Sequence, residues 1–319
     1  MICVGIDIAK AKFDSSVLIA EKYKHKSFDN KSGGFKAFLK WLTSFGSTEE
    51  FHVCMEATGK FSIPLAKYLC SKAIKVSIVN PLQIKSFARS ELSRNKTDKL
   101  DAALIARFCK EKHPRLWSPP HELEEKFKSL YRRWDTVKQL RAQEQTRLTG
   151  ELCQDVRLSI QSMIAMFDEQ LEALEAALDI LVKSHPPFKH RYKLLLSISG
   201  IGKTTAYLLL AEVDFDLFQT VNQLVAFAGL NPRHNESGIF KGKSPISKIG
   251  SSRIRRGLYF PAVSAMSWNP FIKPLASRLQ SKGHCQLSII CAAMRKLLHL
   301  AFGVIKSDSP FDPNYLSRA

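Results

Sequence analysis

The stretch Ile2-Cys3-Val4-Gly5-Ile6-Asp7-Ile8-Ala9 decides how this chain is read. It is an apolar run of strand length with one carboxylate inside it. A strand covered on both faces reads as an almost unbroken apolar segment. A charge buried there costs several kcal/mol unless it is paired or bound to a metal. Asp7 is thus a residue in need of a partner from elsewhere in the N-terminal third.

Working outward, Ser15 to Ala20 continues the apolar run after a polar break, and Tyr23 to Phe28 alternates more weakly, which together predict an antiparallel meander. The period then changes: Phe35, Phe38, Leu39 and Leu42 follow helical spacing after Gly33-Gly34. Phe51 to Met55 reads as a strand, Ile63 to Ala73 as a helix, and Val76 to Val79 as a strand closed by Asn80-Pro81. Three strands, a helix, a strand, a helix, a strand and a final helix is the order of a ribonuclease-H-like α/β domain. In that topology the first and fourth strands adjoin and the last helix crosses them.

This order brings three more carboxylates toward Asp7. Glu56 ends the strand His52-Val53-Cys54-Met55-Glu56, just before Gly59 permits a turn. Asp98 and Asp101, in Lys96-Thr97-Asp98-Lys99-Leu100-Asp101, are three apart and share one face at a helix start. Oxygen ligands suit hard cations, and a pair of Mg²⁺ ions about 3.5 to 4 Å apart can clamp the attacking and leaving oxygens of a phosphodiester. Each residue has a plainer reading: Asp98 as a helix N-cap, Glu56 as a turn cap, Asp101 as a surface charge paired to Lys99 or Arg94. Arg94, Lys96 and Lys99 would suit a phosphate backbone passing the metals.

Composition agrees with a nucleic-acid partner. The 319 residues are 45% hydrophobic, enough for real cores, and 48 Lys+Arg against 29 Asp+Glu leave a net charge of +19. The excess is spread along most of the chain. Seven cysteines, mostly in apolar surroundings and without a C-x-x-C pair, read as reduced thiols of a cytosolic protein, with zinc not expected. No signal-peptide pattern and no run of 18 apolar residues is present, so neither secretion nor a membrane partner is expected.

His113-Pro114 through Pro119-Pro120 ends the helix carrying Asp98 and Asp101 and marks a boundary near 118. Beyond it lies a helical region, 119–187, in which Ile160, Ile164, Phe167, Leu171, Leu174, Leu178 and Leu181 recur in steps of four and three. That seam fits either an intramolecular helical hairpin or a coiled-coil arm joining protomers. His185-Pro186-Pro187 stops it, and a mainly helical domain, 188–319, follows.

In this last domain Ser197-Ile198-Ser199-Gly200-Ile201-Gly202-Lys203 fits a helix-hairpin-helix pattern, whose turn presents backbone N–H groups to a phosphate. A P-loop is disfavoured, because the first glycine at the required gap is missing. Farther on, a loop of small, polar and basic residues could set a hydroxyl against a scissile phosphate, with Arg233, Lys243, Arg253, Arg255 and Arg256 to neutralise charge. Spacing does not choose among Ser237, Ser244, Ser247, Ser251 and Ser252.

Taken together, Gly5 to Lys10, Glu56-Ala57-Thr58-Gly59, Arg94 to Ala102, Gly200-Ile201-Gly202, Phe227 to Pro232 and Glu236-Ser237-Gly238 resemble the motifs of DEDD-type insertion-sequence transposases, the insertion-sequence family numbered one hundred and ten. The likeness runs from about residue 2 to about residue 313, through Gly303 to Ser307. It implies a RuvC-like domain holding Mg²⁺ on Asp7, Glu56, Asp98 and Asp101, and a transposase domain whose nucleophile matches Ser237. It also implies a noncoding bridge RNA that pairs with donor and target double-stranded DNA, and dimers joining into a tetramer with a composite site. A phosphoserine ester would keep the bond energy for religation, and the protein would act in the bacterial cytoplasm, on the nucleoid. Two rivals remain: a junction-resolving nuclease that uses metal-activated water, and a noncatalytic nucleic-acid-binding protein.

Overall fold

The computed structural model describes residues 1–57, 59, 61–91, 97–150, 152–233, 236–237, 240–241 and 245–314, and its chain divides into two compact units, Met1–Pro120 and His121–Ala319.

The first unit is built on strands β1 (Ile2–Ile8), β2 (Lys12–Ile19), β3 (Lys22–Asp29), β4 (Phe51–Glu56) and β5 (Lys75–Val79), in the order β3-β2-β1-β4-β5. β1 to β3 form the antiparallel meander, and β1 pairs parallel with β4, Gly5 opposite Cys54 and Ile6 opposite Met55. Helices α1 (Ser32–Leu42) and α2 (Ile63–Cys70) cover one face; α3 (Pro81–Ser90) and α4 (Asp98–Lys112) go with the other. This mixed sheet has the ribonuclease-H-like order expected. It differs in one element: α3 is an additional helix between β5 and the last helix. Pro81 does close β5, but as the first residue of α3, where a missing N–H and a fixed φ favour a helix start, and Asn80 caps it by accepting from the Leu82 N–H at 2.9 Å.

Alternation along β1 sorts its side chains. Val4, Ile6 and Ile8 enter the core with Phe13, Phe38 and Leu65. Cys3, Gly5 and Asp7 face α4, which crosses antiparallel to the strand, Cys3 against Cys109, Gly5 against Ala102 and Ala106, Asp7 toward Asp101. Two strand residues rise about 6.6 Å and four helical residues about 6 Å, so the two elements stay in step. Gly5 sets the distance between them. A Cβ there would lie 2.1 Å from the Ala102 carbonyl oxygen and 2.2 Å from the Ala106 nitrogen. Backbone atoms cannot swing aside, so Gly5→Ala is expected to lift α4 and destabilise this unit by about 3 kcal/mol, read as a lower urea midpoint with an unchanged m-value.

The second unit is mainly helical. α5 (Glu122–Arg147) and α6 (Gln154–Ser184) are followed by α7 (Pro186–Leu196), α8 (Lys203–Glu212) and α9 (Val221–Ala228). Two short strands, β6 (Glu236–Ser237) and β7 (Phe240–Lys241), precede α10 (Ser252–Trp268), α11 (Ile272–Ser281) and α12 (Gln286–Lys306). α5 and α6 pair as an antiparallel hairpin. Leu171, Leu174, Leu178 and Leu181 of the heptad seam pack with Phe127, Leu130, Tyr131 and Trp134 of α5, so α5 of the same chain covers much of that seam. A bidentate pair, Arg132 to Glu212 at 2.7 and 2.8 Å, ties α5 to α8, with the carboxylate almost fully enclosed.

α12 is the central helix of this unit. Its 21 residues are apolar enough to cross a bilayer by length and composition, yet Ile290, Met294, Leu297, Leu298 and Ala301 lie in a core shared with α7 to α10. It is apolar because neighbouring helices cover it.

Candidate active site

Asp7 is half-buried at the end of β1, and every element beside it brings a carboxylate. Glu56 ends β4 on the same face as Cys54, one residue beyond the Ile6–Met55 pair. Asp98 and Asp101 stand in the first turn of α4, where the helix dipole favours negative charge. Asp98 is not the cap: Thr97 takes that place, its hydroxyl accepting from the Leu100 N–H at 3.2 Å, which leaves the aspartate carboxyl free of that duty. Burial, followed by the charges of Asp101, Asp98, Glu56 and Asp14, pushes the Asp7 carboxyl up to about 6.

Asp14 was not singled out by the sequence reading. It sits directly opposite Asp7 in the β1–β2 register and so shares its face, held by the Ser27 hydroxyl and by Lys12. The alternation Lys12-Phe13-Asp14, with Phe13 fully buried, carried the signal. Lys12 was missed as well. Its ammonium reaches Asp14 at 3.1 Å and Asp98 at 2.9 Å, a single positive charge between two members of the acidic group.

The donor set fits a divalent cation. Burial first, and then the charges of hard oxygen ligands on neighbouring elements, disfavour the ionised Asp7, and a cation would relieve that repulsion. Among the described residues no three His, Cys, Asp or Glu side chains are close enough to enclose an ion together. The carboxylates share one end of the sheet without closing on a common point. Because Asp7 holds its proton more tightly folded than unfolded, its contribution runs opposite to that of an ordinary paired aspartate. With EDTA present, stability is expected to fall by about 2 kcal/mol as pH rises from about 4 through 6, then level off; Mg²⁺ should restore it near neutrality, as read by melting temperature.

In the second unit, the described residues between α9 and α10 pair with one another as a two-stranded arm. Pro232 bridges to Ile246, the Arg233 N–H donates to the Pro245 carbonyl at 2.8 Å, and the Ser247 N–H to the Asn231 carbonyl at 2.9 Å. β6 and β7 pair farther out, Ser237 opposite Phe240. Two of the five candidate serines work at the arm's base. Ser247 donates to Asn231 Oδ1 at 2.8 Å, and Ser251 caps α10 through the Ile254 N–H at 3.3 Å. Ser252 is the first residue of α10, and Ser237 belongs to the outer strand β6. Arg255 is built into the base too, donating to the carbonyls of Ala228 at 2.9 Å and Gly250 at 3.1 Å.

The remaining basic positions divide. Arg233 and Arg253 are exposed, and neither forms an ion pair among the described residues. Arg256 meets Asp135 and Gln139 of α5, and Lys203 meets Glu175 and Asp179 of α6, each at 2.7 Å, so either would have to exchange partners to reach a phosphate. Gly202 caps α8 beside open space. Gly200, at φ +101°, has a packing task, since a Cβ there would lie 2.6 Å from the Ala265 Cβ of α10. Arg94, Lys96, Lys243 and Ser244 lie outside the described residues.

Comparison with known proteins bears on both units. A DEDD-type transposase family matches residues 4–154, and the "Transposase IS116/IS110/IS902 family" matches residues 192–276. The pilin gene-inverting protein of Moraxella bovis is 36% identical over 313 residues, covering 97% of either chain. The chain belongs to the IS116/IS110/IS902 transposase family. Its Moraxella lacunata counterpart is 35% identical over the same span, and an insertion element IS110 protein of Streptomyces coelicolor is 25% identical over 155 residues, 48% of this chain and 37% of that one. The transposase is accordingly a DNA recombination enzyme, with DNA as its partner.

Proposed function

We propose that this transposase is an RNA-guided recombinase that cuts and rejoins donor and target DNA of an insertion sequence through a phosphoserine intermediate, with Asp7, Glu56, Asp98 and Asp101 holding Mg²⁺. The observation that supports the site is the grouping of these carboxylates at one end of the sheet around Asp7, whose carboxyl is pushed up to about 6 by burial and then by their charges. Full-length likeness to gene-inverting proteins supports strand exchange over simple cutting. RNA guidance, a tetramer built from dimers and action on the nucleoid in the cytoplasm rest on the resemblance of the motifs.

Bound Mg²⁺ would polarise the scissile phosphate and acidify the attacking hydroxyl. Ser237 Oγ loses its proton as it attacks phosphorus. The O–P bond to serine forms, the bond to one deoxyribose oxygen breaks, and that oxygen takes up a proton. Reversal by a hydroxyl of the new partner strand restores the serine without an external energy source. Arg233 and Arg253, both exposed, are placed to meet backbone phosphates. The division into 1–118, 119–187 and 188–319 is retained as a division of labour: metal domain, helical oligomerisation region, and transposase domain with a helix-hairpin-helix at Gly200 to Gly202. With α5 over the seam, exposed Val156, Leu158, Met163 and Met166 on α6 are the apolar side chains that a coiled-coil contact between protomers would use.

The test incubates purified protein with Mg²⁺, donor and target duplexes and an RNA transcribed from the element's flank, then separates the products in denaturing detergent. A DNA end linked to protein is expected. Cut ends carrying no protein would identify the nuclease that uses water, and no cutting at all would leave only a binding protein.

A further inference from the structure

We infer that the exposed face of α10 is a stacking platform for unpaired bases of a nucleic-acid strand. The inference rests on the recombinase reading in so far as that reading supplies a nucleic-acid partner. It concerns a helix face of the second unit that includes neither Asp7 nor Ser237.

α10 has two unlike faces. Ile254, Leu258, Ala262 and Ala265 are buried in the core of the second unit, and the Gly200 turn presses against Ala265, so the helix is firmly seated. Its exposed side chains include Arg253, Tyr259, Phe260, Val263 and, in the last turn, Trp268, while Arg256 is engaged by Asp135 and Gln139 of α5. Phe260 and Trp268 are each 78% exposed, more than any other large apolar side chain among the described residues. Tyr259 packs edge-on to Phe260, centroids 5.3 Å apart, and both rings remain open to solvent. Large rings left so open mark a contact surface, because burying them against something is strongly favourable.

Charge identifies the occupant. From Ser237 to Ser307 the sequence has no Asp or Glu in 71 residues, against twelve Lys or Arg, so this one stretch contributes +12 of the net +19. A stretch so charged repels a second copy of itself and attracts a polyanion. Exposed Arg253 in the first turn of α10 and rings toward its C-terminal half form the combination that holds a single strand, phosphates on the cation and base faces on the rings. A duplex hides its base faces, so the rings select strands that are unpaired or splayed.

The test is a titration of the full chain with a fluorescent 12-nucleotide single strand, run in parallel with its duplex and with an abasic strand of the same length. Replacing Phe260 and Trp268 together by Ala, both exposed and outside the core, is expected to weaken single-strand binding about tenfold or more, since each lost stack is worth about that much. Duplex and abasic affinities should change less than twofold. Trp268→Phe, which keeps a ring, should retain most of the affinity. Ribo- and deoxyribo-strands of one sequence separate a guide RNA from extruded DNA as the source. A loss under twofold, an equal loss on duplex and abasic strand, or a change in oligomeric state with binding intact would each overturn the inference, the last by showing a protein–protein contact. Ser237→Ala protein keeps both rings, so its single-strand affinity should equal that of the unaltered chain whether or not the serine is the nucleophile. The two readings thereby fail separately.

Discussion

Ser237→Ala is expected to abolish strand exchange and the protein–DNA adduct together, lowering the rate by about a thousandfold or more, because the side chain that forms the new bond is gone. Binding of donor DNA should be unchanged, since the alanine removes one hydroxyl from a strand whose backbone pairing with β7 does not involve it. The arm makes this serine the informative one to replace. Ser247 and Ser251 secure the base through Asn231 and the start of α10, so alanine there is expected to cost about 1 kcal/mol of local stability and to slow the reaction indirectly. An adduct that survives Ser237→Ala would transfer the nucleophile's role elsewhere, and unimpaired cutting without an adduct would point to water.

Asp7→Asn is expected to separate stability from activity. The carboxyl is kept near pH 6 by burial and by Asp101, Asp98, Glu56 and Asp14, so in EDTA at pH 7.5 the native protein carries an ionised group its surroundings disfavour. An isosteric amide removes that repulsion. The variant should melt several degrees higher than the unaltered chain in EDTA, corresponding to about 2 kcal/mol, yet lose Mg²⁺-dependent stabilisation and at least about a thousandfold in activity. A structural aspartate paired to a fixed donor would respond in the opposite sense, melting lower as the amide. The calorimetric trace with and without Mg²⁺ therefore reports on the role of Asp7 even if no DNA substrate is at hand.

The legibility of this site follows from where the informative contacts lie. Asp7 was readable because an apolar strand offers no reason of its own for a carboxylate, and Glu56 because it closes the neighbouring strand. Asp98 against Thr97 as the cap was not readable. Both can cap a helix, and the choice was made by the extended backbone of Thr97, φ −147° and ψ 150°, which leaves Asp98 as the first helical residue. The alternation around Phe13 showed Lys12 and Asp14 only as one polar face: their nearness to Asp7 and Asp98 depends on the register of β1 with β2 and on α4 lying across both.

Local pattern, by itself, determined the strands of the first unit and its helices other than α3, their ribonuclease-H-like order and the acidic character of the site, because periodicity and turn chemistry act over a few residues. Tertiary structure alone decided what each surface meets. It set α4 against Gly5, covered much of the heptad seam with α5, engaged Lys203 with Glu175 and Asp179, and put Ser247 and Ser251 to work at the arm's base while Ser237 took its place in the outer strand. Those choices depend on contacts between residues far apart in the chain, whose energies no local pattern encodes.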